Sequence, residues 1–136
     1  MELLKFTHDV HDLPKTRELF GLVGEFCVDP VIRAELGAPI SSAAGDTWLV
    51  AKDGEAVQGF CVISMQKNGK AKLHALYAPT AALSGSLRRA ATKEAKGAGA
   101  KAITYTVPAA QAEAMKKDGW TEGVARGQYL AFEKEF

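Results

Sequence analysis

Ser84, Gly85 and Ser86 lie in "APTAALSGSLRRAA", between a strand-like run and a helix that carries Arg88 and Arg89. Serines cap helices, so the triplet has a purely local reading. It also has a chemical one. A small-residue turn feeding a helix N-terminus presents backbone N–H groups and the positive end of the dipole, and together these bind phosphate. His74, in "KAKLHALYA" just upstream, is a side chain that changes charge near neutral pH and can carry a proton in catalysis. "HDVHD" supplies His8, Asp9, His11 and Asp12, ligand types that suit zinc. That segment stands at a helix start, where Asp caps the helix and complements its dipole, and it is read as no metal site. Cys27 and Cys61 lack metal or redox spacing and read as small hydrophobes in a reducing cytosol. No Cys/His or Ser/His/Asp arrangement for covalent catalysis is recognisable.

These groups need a scaffold. The chain of 136 residues suits a single domain spanning 1–136. Its 47% hydrophobic and 24% charged content is that of a soluble globular protein. No apolar run approaches the roughly 20 residues of a membrane helix. "MELLKFTHDV" has an acidic second residue and no long apolar stretch, which predicts no signal peptide and a cytoplasmic protein. A net charge of +1 speaks against a dedicated nucleic-acid binder, and no aromatic stacking motif supports RNA binding. The charge is uneven. Residues 1–50 hold 4 basic against 8 acidic side chains, and the remainder holds 13 against 8. The positive excess between Lys67 and Lys117 reads as a solvated face or as the surroundings of a pocket for a polyanion.

Residues 2–6 predict a first strand, and "HDLPKTRELFGLVGEF" a helix with Asp12 as N-cap and Pro14 in its first turn. Leu19, Leu22, Val23 and Phe26 keep helical spacing. "VIRAELG" predicts a second helix ended by Gly37, and "APISSAAGD" a loop. Asp53-Gly54 and Asn68-Gly69 divide residues 47–78 into a three-stranded antiparallel meander, with Gly59 marking a bulge. The helix entered through Ser84-Gly85-Ser86 buries a stripe of Leu87, Ala90, Ala91, Ala95 and Ala98 and ends at Gly97 and Gly99. "KAITYTV" is then a strand, joined by a right-handed parallel crossover. "AAQAEAMKKDG" is a last helix, and "WTEGVAR" with "QYLAFEKEF" closes the chain as a hairpin about Gly127.

This order, together with "LHALYAP", "LSGSL" and "MKKDGW", resembles the GNAT N-acetyltransferase superfamily over essentially the whole chain. The resemblance implies an α/β (α+β) fold: a mixed, mostly antiparallel sheet of six to seven strands, a parallel crossover between the fourth and fifth, and about four helices. It implies an acetyl-CoA-dependent transfer to a primary amine, with no metal. The coenzyme's pantetheine arm would lie where the fourth and fifth strands splay. Leu76, Tyr77 and Ala78 would line that gap, and the pyrophosphate would meet Leu83, Ser84, Gly85, Ser86, Leu87 and Arg88 or Arg89. His74 would act as base, with Glu55 a second choice. The backbone near Tyr77 or Ala78 would donate to the thioester oxygen, and Tyr105, Tyr129 or Ser84 would protonate the thiolate. Two departures stand out: Thr80 and Leu83 occupy positions where the family's loop carries Gln or Arg and a glycine, and Met115 replaces a tyrosine that acts as acid in many members. They keep a second reading open, a GNAT-shaped binding module without chemistry. Trp48 and Trp120 read as core anchors or a cleft wall. The acceptor is an amine of small molecule or protein, and the C-terminal hairpin offers an edge for a homodimer.

Overall fold

The computed structural model describes residues 2–8, 13–36 and 42–136. In chain order these form β1 (Glu2–Thr7), α1 (Leu13–Val28), α2 (Pro30–Leu36), β2 (Thr47–Asp53), β3 (Ala56–Met65), β4 (Ala71–Tyr77), α3 (Ala81–Gly97), β5 (Ala102–Pro108), a short 3-10 turn (Ala109–Gln111), α4 (Ala112–Lys117), β6 (Thr121–Arg126) and β7 (Tyr129–Glu135). Among the described residues, seven strands make one sheet in the order β1-β2-β3-β4-β5-β7-β6. Every neighbouring pair is antiparallel except β4 and β5, which α3 joins as a parallel crossover. Asp12, the expected cap of α1, and Gly37, the expected stop of α2, lie outside the described residues.

Two cores form, one on each face. Leu19 and Val23 of α1 pack with Trp48, Val50, Phe60, Val62 and Ala75, and Leu22 and Phe26 close over them. On the other face Leu87, Ala91 and Ala95 of α3 and Met115 of α4 cover Leu49, Cys61, Ile63, Leu73, Ile103 and Phe132. The small side chains of α3 let its axis lie close to the sheet. Ala98, expected in that stripe, is exposed because the helix ends at Gly97. Gly99 at φ +88° then lets Ala100 N–H reach the Ala95 carbonyl, which satisfies an orphan acceptor of the last turn. Gly119 at φ +86° does the same for α4, where Trp120 N–H bonds the Met115 carbonyl. Both tryptophans are core anchors.

The β2–β3 turn differs from its prediction. The loop residues are Gly54 and Glu55, between the paired Asp53 and Ala56. No described non-glycine residue has a positive φ, so only Gly54, at +62°, takes that conformation, and this is the type II′ arrangement rather than type I′. The expected bulge beside Gly59 is present: Ala51 faces Gly59 while Lys52 faces Val57, leaving Gln58 unpaired. Gly59 is also a point of close approach. A Cβ there would stand 2.5 Å from the Tyr77 carbonyl oxygen, so only glycine lets the end of β4 lie where it does.

Candidate functional site

The seam between β4 and β5 is short. Pairs form at Ala71–Ile103, Lys72–Thr104 and Leu73–Tyr105, and then stop. Beyond them β4 continues to Tyr77 and β5 to Pro108 without partnering each other. The space so opened is a cavity of about 170 Å³, lined by His74 to Ala78 of β4 and its end, by Tyr105, Thr106, Pro108 and Gln111, and by Ser84 and Tyr129. Main-chain groups along both walls are outside the ladder and available to a polar ligand.

A second bulge places His74. Val62 faces Ala75 and Ile63 faces Leu73, so His74 has no opposite residue on β3. Simple alternation puts Leu73 and Ala75 on the face of Tyr77 and His74 on the other. The bulge overturns this. Leu73 packs under α3, whereas Ala75 and Tyr77 pack on the α1 side. His74 faces that same side: its Nε2 is 3.3 Å from Asp46 Oδ2. It also borders a hollow shared with Ser42, Asp46, Ser64, Gln66 and Lys72. His74 therefore forms part of the wall between the wedge and this hollow. Asp46 was not singled out from the sequence, where it is one Asp in a Gly-Asp loop. Its oxygens accept from Ser64 Oγ–H at 2.7 Å and from Ala43 N–H at 2.9 Å. Ser64 thus bonds the carboxylate rather than the imidazole, which leaves it unactivated as a nucleophile.

Tyr77 packs on Phe26 and Phe60, with ring centroids 5.6 and 5.9 Å away, and borders the wedge with its remaining surface. Tyr105 leans on Trp120 at 6.4 Å. Burial pushes its phenol up to about 12, partly opposed by the Arg88 guanidinium and reinforced by Cys61. Burial likewise raises the thiol of Cys61 to about 12, against a smaller lowering by the Leu49 backbone, so it is inert as a nucleophile. Glu55 sits on the β2–β3 turn and does not line the wedge.

The helix start expected to meet phosphate at Ser84-Gly85-Ser86 is not found there. α3 starts at Ala81, with Thr80 as N-cap. Thr80 Oγ1 accepts from Leu83 N–H at 3.2 Å, and the Thr80 carbonyl accepts from Ser84 N–H at 3.0 Å. The N–H groups of Leu83 to Leu87 are therefore spent inside the helix and its cap, and those of Ala81 and Ala82 are the free pair of the first turn. Ser84 borders the wedge, Ser86 faces a separate apolar hollow with Leu83, and Leu87 is core. Gly85 is covered by arginine: a Cβ on it would stand 3.1 Å from the Arg89 guanidinium. Arg88 is 7% exposed. Its guanidinium donates to Asp118 Oδ2 at 2.9 Å and to Ser84 Oγ at 3.0 Å, tying α3 to the end of α4. It is not a free cation for a ligand. Arg89 is more exposed and lies 3.8 Å from Asp118. Met115 is fully buried in the core under α3 and does not reach the wedge.

His8 bonds Ser42 Oγ through Nδ1 at 2.7 Å. Asp9, His11 and Asp12 lie outside the described residues, and among the described residues no cluster of His, Cys, Asp or Glu is arranged to hold a metal ion. No described helix is long and apolar enough to cross a membrane.

No protein-family profile and no curated protein matches this sequence. Solved structures do match. An acyl-CoA N-acyltransferase from Pseudomonas aeruginosa superposes with a TM-score of 0.75 at 12% identity, covering 98% of each chain. Escherichia coli ElaA gives 0.73 at 10% identity over 98% of this chain and 99% of its own. The PaiA N-acetyltransferase of Thermoplasma acidophilum, solved with coenzyme A, gives 0.63 at 16% identity over 100% of both. With its seven-stranded sheet and β4–α3–β5 crossover, the chain has the GNAT N-acetyltransferase fold.

Proposed function

We propose that this chain is an acetyl-CoA-dependent N-acetyltransferase acting on a primary amine by direct transfer. The observation that carries the reading is the β4–β5 seam, which closes for three residue pairs and then opens into a polar-walled wedge. The residues present fit the coenzyme's arm: unpaired main chain on both walls, two free N–H groups at the start of α3, and Arg89 nearby. Bound acetyl-CoA would supply an activated acetyl group, with the new C–N bond forming as the C–S bond breaks.

The chain's own groups then have three tasks. An ammonium acceptor, with a pKa near 10.4, must lose a proton. His74 takes it, because it borders both the wedge and the hollow on the α1 side. The backbone N–H at Ala78, beyond the last β3–β4 pair, donates to the developing oxyanion. The thiolate needs a proton. Tyr105, raised by burial to about 12, is a weak donor to a thiolate whose acid ordinarily titrates near 8.5. The Ser84 hydroxyl is a weaker acid still, which leaves Tyr129, also lining the wedge, as the better candidate. With the Cys61 thiol buried and Ser64 bonded to Asp46, no covalent acyl-enzyme is needed.

The buried Met115 and the consumed N–H groups of α3 favour a second reading, a binding module that keeps the groove without the chemistry. Thermal unfolding with acetyl-CoA, followed by coenzyme release against an amine panel, separates the two. Coenzyme at 100 times its Kd is expected to add about 2.7 kcal/mol. A shift with turnover supports the enzyme, a shift without turnover a module that binds the coenzyme, and no shift at millimolar coenzyme a module that acts through protein contacts.

A further inference from the structure

We infer that Asp46 is the positioning residue of the His74 base, fixing the ring with its proton on Nε2 and its lone pair on Nδ1. The inference rests on the proposed function for its catalytic meaning, while its geometry stands alone. An ionised carboxylate only accepts, so the 3.3 Å approach of His74 Nε2 to Asp46 Oδ2 requires the proton on Nε2. A neutral ring then keeps its one basic lone pair on Nδ1.

Asp46 is built to hold that place. It is 6% exposed, and its other bonds, from Ser64 Oγ–H and Ala43 N–H, fix both oxygens. The backbone around it is pinned to the end of β1. His8 N–H donates to the Asp46 carbonyl at 2.8 Å, and Gly45 N–H donates to the His8 carbonyl at 2.7 Å. Ser42, in the same loop, accepts from Trp48 Nε1–H at 2.9 Å. On the other side, the bulge in β4 leaves His74 without a partner on β3 and on the same face as Ala75, with its ring within reach of this carboxylate. Two separate irregularities, a loop staple and a strand bulge, meet at one hydrogen bond. A carboxylate needed only to staple the loop has its partners in Ala43 and Ser64, and the imidazole adds nothing to that task.

The test uses the full chain with 15N-labelled histidine. The expected spectrum has a His74 Nε2–H proton shielded from solvent exchange, assigned by its absence in His74→Gln and lost in Asp46→Ala. A wild-type His74 ring that carries its proton on Nδ1, or whose Nε2–H exchanges freely, overturns the inference without any variant having to fold. With an acceptor in hand, Asp46→Ala is expected to lower kcat about 10–100-fold at unchanged coenzyme Kd, and Asp46→Glu to restore part of it. An unchanged kcat in Asp46→Ala also overturns it. Should the wild type acetylate no amine, the proposed function falls, and the resonance still decides whether Asp46 fixes the ring.

Discussion

The two ends of the β4–β5 seam are built for opposite purposes. At the closed end, Ala71, Leu73 and Ile103 are almost wholly buried under α3, and the ladder is complete. At the open end, the same two strands border a cavity with His74, Tyr77 and Thr106, and their facing groups are unpaired. Apolar burial at one end permits polar exposure at the other. On the proposed function, stability and coenzyme binding fall on different residues of the same strands.

Substitutions can break that division or sharpen it. His74→Gln, at the open end, is expected to lower the acetylation rate by about 10²–10⁴ while leaving coenzyme affinity unchanged, as read from kcat and a thermal-shift titration. Ile103→Ala, at the closed end, is expected to lower unfolding free energy by about 2–5 kcal/mol with the coenzyme shift retained. Losing both together would show that the ends are not separable. Gly59→Ala tests the link between them. Its methyl group would stand 2.5 Å from the Tyr77 carbonyl oxygen and force the free end of β4 aside. A cost of about 1–3 kcal/mol, measured by denaturant, should come with weakened coenzyme binding. Thr80→Ala removes the cap of α3 and should cost about 1 kcal/mol.

The smallest effect concerns pH. The folded Tyr105 phenol is raised by burial from 10 to about 12, so its protonated form is favoured in the folded state. Its stabilising contribution is complete below pH 10 and is lost as pH rises toward 12. Chemical denaturation across that window should show a decline that Tyr105→Phe reduces. No change in slope would place the phenol in solvent.

The sequence was most readable where periodicity and turn chemistry act alone. Helical spacing at Leu19, Leu22, Val23 and Phe26 and the glycines at positions 54, 69, 119 and 127 marked elements that the structure contains. His74, Tyr77, Ser84, Tyr105 and Tyr129 line one cavity, and it was the resemblance to the GNAT superfamily, not composition or periodicity, that grouped them. The start of α3 was misplaced because Ser-Gly-Ser is a strong capping signal, and Thr80 with its Oγ1 bond to Leu83 outcompetes it one turn earlier. The role of Arg88 is hidden for a different reason. Its partner Asp118 is 30 positions away, and a buried ion pair at that separation leaves no local mark. Asp46 was invisible for the same cause, its His74 partner lying 28 positions on.

The extra residue in β4 has a consequence for how this strand tolerates change. Up to Leu73, odd-numbered positions carry the side chains under α3; from Ala75, odd numbers serve the α1 side and Leu76 serves α3. A saturation scan should therefore return two combs of hydrophobic preference, out of phase by one tooth, with the break at His74. Removing a single residue there would bring the combs into step with every later side chain kept on the face it now serves, whereas straightening the strand with that residue retained would turn them all over.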